Sequence, residues 1–170
     1  MQEKNLTYLR LFVVLLPLLL FLISLTQVAF TNEGTDEIAV NQSYLVLLGG
    51  PFIILGGATF EWLTWMANPL ALCAIILFLT TTRAKKLSSP TFIPNDWIFI
   101  LSIGATVTAW QFSLWKEVMK SESGSMGDIL SLNAGYWLWA ISILLLALGI
   151  IVYFIFLRKF LANKAKTLKD

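Results

Sequence analysis

Glu61 is the residue whose chemistry stands out first, because it is an acidic side chain inside a long apolar stretch. A carboxylate near membrane depth is expensive to bury, and such residues often serve a ligand or a transport path. Two roles are open for Glu61. It could be a functional group inside the membrane, or a charge at the water boundary that caps the start of a helix.

Asn68 is the second candidate, since it directly precedes Pro69 within the same apolar stretch. Proline has no N–H and leaves the carbonyl four residues earlier without its helical partner, which in lipid must find another donor. The Asn68 amide offers two donors and one acceptor beside that break. We expect it to hydrogen-bond across helices to residues 135–139, with Gln27 and Gln111 as alternative partners. Such a bridge would hold helices together, and the alternative is that Asn68 lines a solute path.

Other reactive groups are scarce. The chain has no His and a single Cys, Cys73, which excludes Ser/His/Asp and Cys/His catalytic arrangements and a multi-Cys zinc site. The acidic cluster Glu33, Asp36 and Glu37 has too few ordered oxygens for a calcium site and is interpreted as a solvated loop. We therefore predict no catalytic residue, no metal and no cofactor.

The elements that must position these residues are membrane helices. Hydrophobic residues make up 58% of the 170 positions and charged residues only 13%, which excludes a disordered chain, a nucleic-acid binder and an ordinary soluble enzyme domain. A bilayer core needs roughly 20 apolar residues per helix. We predict one integral membrane domain over residues 1–170, an all-α four-helix transmembrane bundle, with spans at about 11–30, 62–82, 97–115 and 134–157.

Residues 44–60 are apolar but contain two Gly pairs and a Pro, which work against a straight helix. Two interpretations remain open for this broken segment: a re-entrant or interfacial element, and a short helix–turn–helix that caps the bundle. If it does not cross, ten of the 12 basic residues lie on the side of the termini; if it does, the split is eight to four. The stronger bias favours four spans with both termini cytoplasmic.

Membrane helices associate through small and polar side chains rather than through Leu. In the third span one such face includes Ser102 and Thr106, and in the fourth Gly135, Ser142 and Gly149 recur every seven residues. These five residues are predicted to pack helix against helix.

Two segments carry a resemblance. The sequence WMANPL at 65–70 and GYWLWA at 135–140 resemble the W-x-A-N-P-L and G-Y-x-L-W motifs of a group of small, uncharacterised bacterial four-span inner-membrane proteins. The resemblance implies a bacterial inner-membrane location and a pairing of Asn68 with the fourth span. It supplies no catalytic residue.

Two functions are consistent with these features. The first is a non-enzymatic accessory, immunity-type or scaffold subunit that acts through its helix faces and outer surface. Its partners would be the lipid bilayer, a membrane protein or a second copy of the chain, and not nucleic acid. The alternative is a small transporter or channel component, since transporters favour broken helices near the membrane midplane.

Overall fold

The computed structural model describes residues 3–34, 37–82, 96–120 and 125–167. Within them four helices are long and apolar enough to cross a membrane, as a multi-pass membrane protein requires. They cover Lys4–Leu25, Thr59–Thr81, Asp96–Leu114 and Ala134–Asn163. Because four is an even number of crossings, the two ends of the chain lie at the same end of the bundle, which we call the termini end.

The helices and strands follow one another in a simple order. The helices are α1 (Glu3–Leu25), α2 (Ser43–Gly49), α3 (Thr59–Trp65), α4 (Ala67–Thr81), α5 (Asp96–Gln111) and α6 (Ala134–Thr167). Short 3-10 helices cover Ile53–Gly56 and Phe112–Leu114. The strands are β1 (Val28–Glu33), β2 (Ile38–Gln42), β3 (Glu117–Met119) and β4 (Met126–Leu132). The first helix packs most extensively on α6, while α5 packs on both α4 and α6.

The four strands form one antiparallel sheet in the order β2-β1-β4-β3, at the end of the bundle opposite the termini. We call this the sheet end. The all-α prediction is therefore wrong in this respect, because both polar connections expected to be loops contribute strands to the sheet. Their composition is polar enough to suggest loops, yet the pairing of β1 with β4 joins segments about 100 residues apart, which no local pattern reveals.

The first span also begins and ends earlier than the predicted 11–30. Helix α1 ends at Leu25, and Val28, Ala29 and Phe30 belong to β1. Their apolar side chains extended the hydropathy run, but Ala29 is buried and Phe30 packs against the cluster between the sheet and α6, so they serve the protein interior instead of lipid. Apolar composition alone cannot separate these two environments.

Residues 44–60 form α2, the 3-10 helix and the start of α3, which is a short helix–turn–helix. The seven residues of α2 measure about 10 Å and cannot cross a bilayer. Large apolar side chains on this segment are exposed, including Leu48, Phe52 and Leu55. An exposed apolar patch of this kind is expected at the membrane surface, not in water.

The interior of the bundle is filled in layers. Near the termini end, fully buried Phe78, Ile98, Ile150 and Tyr153 form the largest cluster. Small side chains then allow close approach in the middle layer, where Ala67, Ala105, Ala109 and Ile143 are buried together. At the sheet end the cluster consists of Phe112, Val118, Tyr136 and Ala140. This last layer fixes the sheet to the helices.

Candidate functional site

Asn68 lies at the break between the two halves of the second span. Helix α3 ends at Trp65 and α4 begins at Ala67. The Asn68 Nδ2 group donates to the Trp65 carbonyl at 3.0 Å, which supplies the donor that Pro69 lacks. The Asn68 Oδ1 atom accepts from the Trp139 indole N–H at 2.8 Å. The single amide thus satisfies the broken turn and ties it to α6, within the 135–139 region expected for its partner.

The two glutamines proposed as alternative partners lie elsewhere. Gln27 is exposed just beyond the end of α1, and its amide donates to the neighbouring Thr26 hydroxyl at 3.0 Å. Gln111 is half-buried at the last residue of α5. Within the described residues, the hydrogen bonds of the Asn68 side chain go to Trp65 and Trp139 and to neither glutamine.

Glu61 joins the second span to the sheet. It lies in the first turn of α3 and is half-buried, and its Oε1 atom accepts the backbone N–H of Met119 in β3 at 2.9 Å. Strand β3 is at the edge of the sheet, where a backbone N–H has no neighbouring strand to accept it. Glu61 therefore acts as a side-chain acceptor for the sheet edge, a role that neither interpretation of its sequence position included.

The five small or polar residues expected at helix contacts lie at several depths. Ser102 and Ser142 are buried, and each hydroxyl donates to a carbonyl one turn earlier in its own helix. Thr106 is half-buried and bonds in the same way to Ser102. A Cβ on Gly149 would lie 3.0 Å from Val13 of α1, and one on Gly135 would overlap the Ser43 hydroxyl. The two glycines thus mark the closest approaches of α6.

A cavity of about 970 Å³ lies between the sheet, the helix–turn–helix, α3 and the start of α6. We call it the sheet-end cavity. Its volume is at the upper end of the range for small-molecule sites, roughly 300–1,000 Å³. One wall is apolar and includes Phe21, Leu25, Val46, Ile53 and Leu55. The polar side chains that line the cavity include Asn32, Ser43, Glu61, Thr64, Asn68 and Lys120.

Two of these wall residues carry buried hydroxyls that lack a partner. Ser43 and Thr64 are both more than nine-tenths buried, and their hydroxyl oxygens make no hydrogen bond with the described part of the chain. A buried polar group left without a partner costs about 1–3 kcal/mol. Such groups are rare in folded proteins and concentrate where structure serves something besides stability.

Among the described residues that line the cavity, one is acidic and one is basic. Glu61 and Lys120 both line it, and Lys120 directly follows the Met119 N–H that Glu61 binds. Across residues 3–34, 37–82, 96–120 and 125–167, Lys120 forms no ion pair through its side chain. No three acidic or cysteine side chains gather in those ranges as a metal site would need. Asp36 of the acidic cluster lies outside the described residues.

Sequence reasoning missed three parts of this site: the sheet above the cavity, Lys120, and the role of Trp65. The Trp65 indole N–H donates to the Leu47 carbonyl at 2.9 Å, which anchors the last turn of α2. The sequence did hold one signal for the role of Trp65, since a Gly-rich segment precedes it. A large indole ring can pack closely against backbone only where the facing residue has no side chain, as Gly50 does here. Comparison of the chain with protein families, with curated proteins and with solved structures gives no match.

Replacement of Asn68 by Leu is expected to destabilise the protein by about 1–3 kcal/mol, measured as thermal unfolding in detergent. It removes two hydrogen bonds and leaves the Trp65 carbonyl and the Trp139 N–H without partners; single bonds in membranes average about 0.6 kcal/mol. Gln27→Leu is the matched control and should leave stability unchanged. In the Trp139→Phe background Asn68→Leu should cost less than in the wild type, because the two residues share a bond. Equal losses in both backgrounds would contradict the bridge.

Proposed function

We propose that the protein is a non-enzymatic membrane module, an accessory, immunity-type or scaffold subunit, that binds a partner protein through the sheet at its sheet end. The observation that carries this proposal is the sheet itself. The described strands of the two connections at that end join into a single platform that is packed on the bundle through Val118, Tyr136 and their neighbours. An ordered platform outside the spans is a suitable surface for recognition, since little entropy is lost when a partner binds it.

The exposed surface of the platform supports a protein partner. Ile38 of β2 is 65% exposed, and Leu130 and Met126 of β4 are 48% and 47% exposed. Polar Thr31 of β1 and Ser131 of β4 are paired across the two central strands, with their hydroxyls 2.7 Å apart. A surface that mixes large apolar and small polar side chains resembles the composition of protein interfaces. Strand β2 is at an edge of the sheet, where a partner strand could also pair.

A binding role also agrees with the reactive groups available. The chain has no His, and Cys73 is exposed on α4 at a depth where it faces lipid in a crossing helix. The acid and the amide that drew attention in the sequence, Glu61 and Asn68, both hold structural hydrogen bonds. Their hydrogen bonds hold neighbouring elements in place, which is a structural role that a binding protein needs.

For location we propose the inner membrane of a bacterium with both termini in the cytoplasm. The support is the distribution of basic residues, ten of 12 at the termini end, together with the resemblance of segments 65–70 and 135–140 to bacterial inner-membrane proteins. Four of those basic residues lie outside the described residues: Arg83, Lys85, Lys86 and Lys169. In this orientation the sheet platform would face the periplasm.

The proposal predicts site-specific capture of a partner. A photo-reactive amino acid at Ile38 or Leu130, activated in native membranes, should give one discrete protein adduct identifiable by mass spectrometry. The same group at Phe12, an exposed residue of α1, is the control and should react with lipid only. The partner is either another membrane protein or a second copy of this chain. Capture at Phe12 alone, or the same adducts at all three positions, would contradict a platform role.

A second candidate is a small transporter component, which the sheet-end cavity favours because it reaches Asn68 at the helix break. Broken helices next to a cavity are common in transporters. In the described arrangement, however, fully buried Phe78, Ile98 and Ile150 fill the interior closer to the termini end. Transport would require that layer to open, and solute flux into liposomes that Asn68→Leu abolishes would support this function over the first.

A further inference from the structure

We propose that the sheet-end cavity binds one bilayer lipid with a zwitterionic head group, a phosphate and a primary ammonium. Glu61 binds the ammonium, Lys120 binds the phosphate, and an acyl chain lies along the helix–turn–helix. This site is separate from the outer face of the sheet and does not depend on the partner proposed above.

The apolar half of the cavity fits an acyl chain. Its wall consists of residues from α1, α2 and the 3-10 helix, among them Leu25, Val46, Ile53 and Leu55. Leu55 is 83% exposed and Phe52, also on the wall, is 67% exposed. In a chain with four membrane-crossing helices these side chains lie where the bilayer begins, so a lipid can enter the cavity sideways without crossing water.

The polar half fits a head group that carries both charges. Glu61 and Lys120 both line the cavity, and Lys120 directly follows Met119, whose N–H binds Glu61. One carboxylate oxygen of Glu61 accepts that N–H; hydrogen-bond capacity remains on the carboxylate for a second donor. A primary ammonium supplies such a donor with an opposite charge, which gives a strong hydrogen bond.

The same pair of charges selects against other lipids. An anionic head group would bring a negative charge to Glu61, and Lys120 is the one cation among the described lining residues to compensate it. An uncharged head group would leave both charges partly desolvated without a partner. A quaternary ammonium carries the positive charge but has no N–H to donate to Glu61. The cavity should therefore rank phosphatidylethanolamine above phosphatidylcholine, and both above phosphatidylglycerol.

Asn68 and Trp139 at the base of the cavity keep its shape while a lipid is bound. Their side chains are joined to each other and to the Trp65 carbonyl. The Trp65 indole N–H, bonded to the Leu47 carbonyl, holds α2 in place, and α2 carries part of the apolar lining. The cavity walls are thus fixed by contacts within the protein, so that little ordering is required when the lipid enters.

The test is native mass spectrometry of the full-length protein released from nanodiscs that contain equal amounts of the three phospholipids. Wild type should retain one phosphatidylethanolamine per chain, enriched roughly tenfold over phosphatidylglycerol. Glu61→Gln keeps an acceptor for Met119 but loses the charge, and should reduce that enrichment to near unity. Glu117→Gln removes an exposed acid outside the cavity and is the matched control, expected to behave as wild type.

Three results would overturn the proposal: no retained lipid in wild type, retention of phosphatidylglycerol at least as strong as that of phosphatidylethanolamine, or unchanged selectivity in Glu61→Gln. A photo-reactive group at Phe52 gives an independent check that does not depend on the fold of a charge variant. It should form an adduct with lipid. A protein adduct at Phe52 would show that the occupant is a partner helix and not a lipid.

Discussion

Gly135→Ala is expected to destabilise the protein by about 2 kcal/mol or more, although alanine is usually the better helix former. Gly135 lies in the first turn of α6, against the start of α2 and the strand β1. A Cβ there would overlap the Ser43 hydroxyl and would lie 2.7 Å from the Val28 carbonyl oxygen. The β1 backbone lies on one side of the added Cβ and the buried Ser43 side chain on the other, so a small shift of α6 cannot relieve both overlaps.

The control for this prediction is Gly104→Ala in α5. At that position the nearest atom to an added Cβ is a Leu70 methyl at 4.0 Å, so the helix gains propensity with no overlap. Thermal unfolding in detergent should show a lower midpoint for Gly135→Ala and an unchanged or higher midpoint for Gly104→Ala. If the two variants unfolded alike, the close approach of α6 to β1 would be wrong.

Gly50→Ala is expected to release the helix–turn–helix from the bundle and to cost about 1–3 kcal/mol. The backbone of Gly50 is right-handed helical, with φ −51° and ψ −41°, so alanine meets no conformational strain. Its Cβ would overlap the Trp65 indole ring, which would have to leave its place and lose the hydrogen bond to the Leu47 carbonyl. Hydrogen exchange should then increase over α2 and remain low in α5 and α6.

Gly49→Ala is the matched control, because an added Cβ at Gly49 meets nothing within 4 Å. The second Gly pair divides in the same way. Gly56 is in open space, whereas Gly57 has φ +89°, a conformation that alanine adopts only with strain. From the sequence, each pair is treated as a unit that works against a straight helix. In the structure only the second member of each pair is constrained, and equal effects of Gly49→Ala and Gly50→Ala would contradict that assignment.

The four spans and the Asn68 bridge were the parts of the molecule open to prediction, for related physical reasons. A bilayer imposes a minimum apolar length on each helix, and it requires a donor for any carbonyl that a proline leaves free. Both constraints act on residues close together in sequence. The donor to the Trp65 carbonyl could therefore be assigned to Asn68, whose amide lies beside the break.

The sheet and the charged wall of the cavity were not open to prediction in this way. Glu61 accepts an N–H from a residue 58 positions later, and Thr31 meets Ser131 at a separation of 100. Strand pairing over such distances depends on the bundle that brings the connections together, and a polar composition gives no sign of it. Lys120 appeared in the sequence only as one of two basic residues on its side of the membrane, with nothing to connect it to Glu61.

The pairing of β1 with β4 has a consequence for the biogenesis of the protein. Strand β1 follows α1, β4 precedes α6, and these two helices are also the most extensively packed pair. Helix α1 therefore leaves the ribosome well before α6, the helix on which it packs most extensively. Until α6 is inserted, β1 lacks a neighbour on one edge and the face of α1 that carries Val13 meets only lipid or an insertion chaperone. The helix bundle and the sheet are thus both completed late, when α6 is inserted. A chain truncated before α6 would present an unpaired strand and an incomplete bundle to membrane proteases.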